Sequence, residues 1–436
     1  MTPRPDLSSP PTPSLDGQAL LKGAGTSDRE TPAPLPVRDL GPEDLADITE
    51  LDGTAFGQDM DEDVLREVIV PELELDRFVG VRDPAADNRL VAVACILTKP
   101  LTFPGGSVHS TAGVSWVGVR PGWRRRGLLR SMITHQLHEL HNRGGEPIAI
   151  LTASEAGLYG RFGYGRAIDR CRFEVTHGAA FRPGIAVDNV VDVPAQQARP
   201  LVRALYDRVA PARPGYLARH HGVWGLRLSD HEMFRSGRSR LRFGLHPDGY
   251  AAYRVKPDWN DRGPNFQIHV DEICAATPRA FASLWRFLLD LDLSREVLYN
   301  RGWLDDPLPT LLLDPRSVTV SQHDHVWLRI VDLDRAIPQR TYSAPARVVV
   351  QLTDTVCPWN DGKWLLDLDL DGGRATPTDE PVQVTMDVRD LGGCLLGGTP
   401  VGRLAAAGVV GGEPAALRSL GAALSTPLAP WCPEGF

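Results

Sequence analysis

VGVRPGWRRRGLLRSM, residues 117–132, joins the end of a strand to the start of a helix. Arg124, Arg125 and Arg126 precede Gly127, and beyond it Leu129, Ile133, Leu137 and Leu140 recur on one face until Gly144 and Gly145 end the helix. Cations are disfavoured at a helix start, where the macrodipole is positive, so three guanidinium groups there call for an anion. Free backbone N–H groups, a glycine that allows close approach and flanking arginines make a diphosphate cradle. A solvated basic helix start would carry the same arginines. The residues on either side separate the two readings.

Upstream, GVSWVGV (113–119) is a strand whose backbone can pair with an extended, amide-bearing ligand arm. Downstream, IAILTAS (148–154) is a buried strand, followed by EAGLYGRFGYGRA with Tyr159 before a Phe-Gly-Tyr turn. Before the cradle, Leu40, Leu45, Ile48 and Leu51 fall at helical spacing, with Pro42 and Glu43 suited to a first turn. RFVGVRD (77–83) and LVAVACILT (90–98) read as strands. Residues 36–180 are therefore expected to form one α+β domain. Residues 181–325 repeat its order in weaker form, with strands GYAAYRVKP and FQIHVDEICAA and helix AFASLWRFLLDL, but lack the basic loop. From 326 to 436, VWLRIVDL, ARVVVQLTD, KWLLDLDL and PVQVTMDV alternate as strands around N-D-G and D-G-G turns, and PAALRSLGAALST closes as a helix, giving a mixed α/β third part. Residues 1–35 are rich in Pro, Ser, Thr and Gly, and are expected to be a disordered tail.

Composition bounds the function. The chain has 436 residues, 42% hydrophobic and 23% charged, which excludes a mainly disordered or fibrous protein. Its net charge of −8 argues against nucleic acid or anionic membrane as a partner. No apolar run reaches the ~20 residues of a membrane span, and the N-terminus lacks the order of a signal peptide, so a cytoplasmic location is expected. Cys95, Cys171, Cys274, Cys357, Cys394 and Cys432 are dispersed and read as reduced core thiols, with no zinc spacing. His135, His138 and His141 spread around a helix and read as a solvated stripe rather than metal ligands; His323-Asp324-His325 reads as a loop, and the glycine-rich 392–412 as turns. No metal is expected.

WVGV, RRRGLLR, LTASE and YGRFGYG, in that order, resemble the GCN5-related N-acetyltransferases (GNAT), and the RRRGLLR form resembles their Eis-type (enhanced intracellular survival) branch. Leu129 departs from the Gly or Ala of the general pattern. The resemblance implies two tandem GNAT-fold domains, the second without an active site, followed by a sterol-carrier-protein-like domain. It further implies acetyl-CoA as co-substrate and a homohexamer. Trp116, Val117 and Val119 would hold pantetheine, and Arg124, Arg125, Arg126, Gly127, Leu128 and Leu129 the pyrophosphate, with Ser154 also on the coenzyme side.

By the same resemblance Tyr159 is the acid for the departing sulfur, and a phenol with an ordinary pKa of about 10 carries its proton at pH 7. A backbone N–H near Val117 would polarise the carbonyl. The chain ends at Phe436, whose terminal carboxylate is assigned as base or amine-orienting anion. Phe56, Asp59 and Glu62 would face the acceptor, and Glu434 is a further anion for it, although Asp59, Asp61 and Glu62 also suit a helix start. Gly435 departs from the acidic residue common there in relatives. Expected acceptors are multi-amine small molecules such as aminoglycosides or polyamines. The alternatives are a protein lysine acetyltransferase, or a carrier of apolar ligands with a vestigial acetyltransferase module.

Overall fold

The computed structural model describes residues 35–436, so the expected disordered tail, but for Leu35, lies outside the described residues. Two similar halves come first. One contains β1 (Val37–Leu40), α1 (Leu45–Phe56), β2 (Phe78–Asp83), β3 (Arg89–Thr102), β4 (Val108–Val119), α2 (Leu128–Asn142), β5 (Ile148–Thr152) and β6 (Gly165–Thr176). The other contains β7 (Val191–Val193), α3 (Ala195–Val209), α4 (His221–Arg227), β8 (Arg242–His246), β9 (Gly249–Lys256), β10 (Phe266–Ala275), α5 (Pro278–Leu289), β11 (Ser294–Gly302) and β12 (Val318–Ile330). Leu40 belongs to β1 and not to the helical face expected of it, because Gly41 is extended and Pro42 opens a new turn. On α2, Ile133, Leu137 and Leu140 are buried as their spacing demands, each contributing about 1.5–3 kcal/mol.

Both halves share one 12-stranded sheet, in the order β1, β2, β3, β4, β5, β12, β6, β11, β10, β9, β8, β7. The halves exchange their last strands. β12 pairs antiparallel with β5 through Val326–Ile330 and with β6 along most of its length, and β6 pairs antiparallel with β11. The expected boundary at 325/326 therefore falls inside a strand. Val326, Leu328 and Ile330 are fully buried there, and His323-Asp324-His325 lies within β12 and is not a loop.

The third part is a five-stranded sheet of β13 (Ala346–Thr353), β14 (Gly362–Asp369), β15 (Gly372–Pro377), β16 (Val384–Asp387) and β17 (Gly411–Gly412), in the order β15, β14, β13, β16, β17. It packs Val348, Leu352 and Leu366 against Leu391 of α6 (Val388–Cys394) and Leu420 of α8 (Pro414–Leu424), with α7 (Val401–Ala406) between these helices in sequence. PVQVTMDV is strand only to Asp387, whose carboxylate caps α6 through the N–H of Arg389 at 2.9 Å. Gly392 and Gly393, expected in turns, lie within α6. A Cβ on Gly392 would stand 2.8 Å from the Leu328 carbonyl, so glycine lets the helix lie directly on β12. Two of the three histidines expected as a solvated stripe on α2, His138 and His141, are held by other side chains and backbone. His141 stacks on Trp359 with ring centroids 3.8 Å apart and bonds Asp332, and His138 donates from Nε2 to the Val356 carbonyl at 2.9 Å. Among the described residues all six cysteines are buried and unpaired, no helix is long and apolar enough to cross a membrane, and no group of three or more acidic, His or Cys side chains is arranged to hold a metal.

Candidate active site

The loop from β4 to α2 is pinned at its base. Arg120 is buried, donates from Nε to the Leu90 carbonyl at 2.7 Å and pairs with Glu50, while Trp123 Nε1 donates to Asp83 at 2.8 Å. Above these anchors Arg125 (φ 63°) and Gly127 (φ 84°) turn the backbone left-handed into α2. Gly127 supplies no side-chain cap, so the first turn, whose N–H groups have no partners within the helix, is left open. Nothing stands within 4 Å of where a Gly127 Cβ would lie. Arg124 reaches the Val119 and Ala55 carbonyls, both at 3.2 Å, and Arg126 lies over the Trp123 ring. Among the described residues no carboxylate pairs with Arg124, Arg125 or Arg126, so their charge faces outward over an electropositive helix end. The arrangement fits a diphosphate.

Next to it the sheet opens. β4 and β5 pair in parallel only at Ala112 with Ala149 and Gly113 with Ile150, and then part. A bulge in β4 places Trp116 and Val117 opposite one residue of β3, with Trp116 at φ 53°. Past Gly113 the edge of β4 facing β5 has no strand partner and can bond an amide-bearing chain. The bulge divides its two side chains. Val117 joins the cluster that holds Tyr159, Leu129 and Leu151, whereas Trp116 packs edge-on against Phe78 in the cluster with Leu51 and Leu97. Val119 is half-buried near the loop, Leu128 is buried in α2, and Ser154 is exposed on the turn after β5.

Tyr159 follows that turn, 8% exposed, between two short 3₁₀ turns. Its carbonyl accepts from the N–H of Phe162 at 2.9 Å, and its ring meets Tyr164 edge-on at 5.9 Å. Burial first, and Glu155 second, push the phenol above its ordinary pKa, so it holds its proton at neutral pH. Phe436 reaches the same end of β5: its backbone oxygen accepts from Thr152 Oγ1 at 2.8 Å. Its ring lies under Lys99 Nζ at 5.4 Å, and a Cβ on Gly113 would come within 3.3 Å of that ring.

The acceptor-side residues are more dispersed. Phe56 is 53% exposed at the end of α1, and Asp59 and Glu62 are exposed beyond it. Asp61 caps the short turn at Glu62, accepting from the Val64 N–H at 3.0 Å. Glu434 borders the cleft that holds Phe436, but it is 5% exposed and paired with buried Arg219, 215 residues away in sequence, an arrangement its position in the sequence gives no hint of. Two further side chains line the cleft beside Phe436, Lys99 of β3 and Glu72, paired at 2.7 Å and both nearly buried. A lone lysine inside the apolar run LVAVACILTKPLT was the signal available for them.

Comparison with known proteins agrees with this architecture. Residues 36–167 and 215–330 each match a family described as an acetyltransferase (GNAT) domain, and residues 333–433 match a sterol carrier protein domain. An uncharacterized N-acetyltransferase of Streptomyces avermitilis is 37% identical over 88% of this chain and 95% of its own length. N-acetyltransferase Eis of Mycobacterium tuberculosis is 38% identical over 76% of this chain and 82% of its own. The crystal structure of Eis1 from Mycobacterium abscessus superposes with a TM-score of 0.80 at 33% identity, covering 92% of this chain and all of that one. A GCN5-related N-acetyltransferase from Anabaena variabilis, 20% identical with a TM-score of 0.77, shares the fold. With that likeness extending through both halves and the third part, the chain belongs to the Eis-type branch of the GCN5-related N-acetyltransferases and is an acyltransferase built of two GNAT domains and a sterol-carrier-protein-like domain.

Proposed function

We propose that the enzyme transfers the acetyl group of acetyl-CoA to primary amines of multi-amine small molecules of the aminoglycoside or polyamine kind, at more than one position on larger acceptors. The observation that carries this is a convergence at one end of β5. Thr152 donates to the backbone oxygen of Phe436, Tyr159 follows the strand, and the open first turn of α2 comes soon after β4, which parts from β5 beyond Gly113. The N–H groups of that turn, with Arg124, Arg125 and Arg126, hold the pyrophosphate. The free edge of β4 from Val114 to Val119 holds the pantetheine amides, with Ser154 at the mouth.

The chain's residues then divide the proton work. The Phe436 carboxylate orients the neutral acceptor amine and takes its proton as the C–N bond forms. A backbone N–H at the Val117 bulge donates to the carbonyl oxygen while negative charge develops there. As the C–S bond breaks, Tyr159 gives its hydroxyl proton to the sulfur, and solvent carries the proton from the carboxylate back to the phenolate. The products are an amide and coenzyme A thiol. Asp59 and Glu62, exposed near Phe56, raise the local concentration of cationic amines.

Thiol release from acetyl-CoA, measured with an aminoglycoside, a polyamine and a lysine peptide, tests the reading. Release with the small amines supports it; release with the peptide alone replaces it with protein acetylation. No release with any amine would favour the carrier alternative. A tag appended after Phe436 that left turnover unchanged would remove the terminal carboxylate from the mechanism. The resemblance also supports a homohexamer, which light scattering should register as six chains.

A further inference from the structure

The second GNAT half has no phosphate cradle, yet the place where its own parallel strands part is in use. β10 and β11 pair from Phe266 to Val270 and then diverge, with a bulge in β10 between Val270 and Glu272 that repeats the bulge of β4. At that divergence lies the C-terminal segment of the chain. Trp431 is 1% exposed, set between the rings of Tyr216 and Trp303, and donates from Nε1 to the Arg301 carbonyl of β11 at 2.7 Å. Arg301 in turn donates to the Pro433 carbonyl. From the β10 side, Glu272 accepts from both terminal guanidinium nitrogens of Arg219 and from Tyr250 at 2.6 Å, and Arg219 Nε donates to Glu434 at 2.6 Å. The Arg219 side chain has no exposed surface and lies 3.7 Å from the Tyr206 ring centroid. Burial alone would raise both carboxylates, but Arg219 and Arg227 outweigh it, holding Glu434 below its ordinary pKa and Glu272 at about 2. Glu434 is thus fixed as an anion two residues before the Phe436 oxygen to which Thr152 donates.

We propose that the second half has become an intramolecular receptor for the segment Trp431 to Glu434, with Arg219 as the positioning residue that delivers the Phe436 carboxylate to the first half. This rests on the assignment of that carboxylate to the acetyl transfer. A buried guanidinium bonded to β10 and to the tail sets where the last two residues start. Only Gly435 separates Glu434 from Phe436, so the slack between the anchor and the reacting end is small.

The test compares full-length enzyme, Glu434→Gln, a chain lacking Phe436, and the two changes combined, each with thiol-release kinetics, thermal midpoint and coenzyme A calorimetry. Glu434→Gln should lower kcat by about 100-fold, the scale of an ångström-sized misplacement, with coenzyme A affinity unchanged. Its pH profile should converge on that of the chain lacking Phe436, and the combined variant should be no slower than the truncation alone. Arg219→Lys, which keeps the buried charge but loses the two-pronged contact, should lie between wild type and Glu434→Gln, and it is read in place of Glu434→Gln if that variant does not fold. Wild-type kcat in Glu434→Gln, or effects that multiply in the combined variant, would overturn the positioning role while leaving the carboxylate its part. Full turnover in the chain lacking Phe436 would instead overturn the mechanism on which the positioning role depends.

Discussion

The two halves of the sheet follow one plan, a bulged strand, a helix and a parallel strand, and they differ where the helix begins. In the first half the chain enters α2 through left-handed Gly127, which offers the first turn no side chain. In the second it enters α5 through Thr277, whose hydroxyl accepts from the Ala280 N–H at 3.1 Å, and Pro278 removes another donor. An open helix end beside three arginines is the place proposed here for the pyrophosphate; a capped one offers no such groups. The fold is shared, and the chemistry resides in a few residues placed on it.

The contrast is most sharply broken at Tyr159, the acid proposed for the departing sulfur. Tyr159→Phe keeps the ring and its contact with Tyr164, so the thermal midpoint should hold while kcat falls by about 10²- to 10⁴-fold in the thiol-release assay. The next effect probes the seam between the halves. His325 of β12 meets backbone groups of Cys432 and Glu434, and burial first, then Arg170 and Arg301, lower its pKa to about 4. Between pH 6.5 and 4 the unfolded chain binds a proton that the native chain refuses, so stability should fall as pH drops through that window, by about 3 kcal/mol in all. Thermal midpoints followed against pH should show that loss, and His325→Gln should flatten it. Glu272 adds its own loss only below about pH 4.5, toward its native value of about 2.

A smaller effect comes from giving the first half the cap of the second. Gly127→Thr forces a branched side chain into a left-handed conformation and offers the first turn a competing acceptor. Coenzyme A affinity should fall by about 10- to 100-fold by calorimetry, equivalent to about 1–3 kcal/mol. Unchanged affinity would show that the open helix end does not bind. The smallest effect is the reverse exchange: Thr277→Ala should cost about 1 kcal/mol in denaturant unfolding and leave turnover alone.

The cradle was legible in the sequence because its chemistry is local: three cations ahead of a glycine and a helical period need no distant partner to be interpreted. The strands were legible for the same reason, through alternation. The partner of a strand is not a local property, so VWLRIVDL announced a strand without revealing that it begins at Val318 and lies between β5 and β6. His138 and His141 looked solvated because Trp359 and Val356, which receive them, come more than 200 residues later. Glu434 looked like an exposed anion because charged side chains near a terminus usually are; Arg219 reverses that, and only the folded chain brings the two together.

The strand exchange also dictates an order of events during synthesis. When β5 leaves the ribosome its outer edge has no neighbour, and it must wait until β12 is made before the catalytic half is closed.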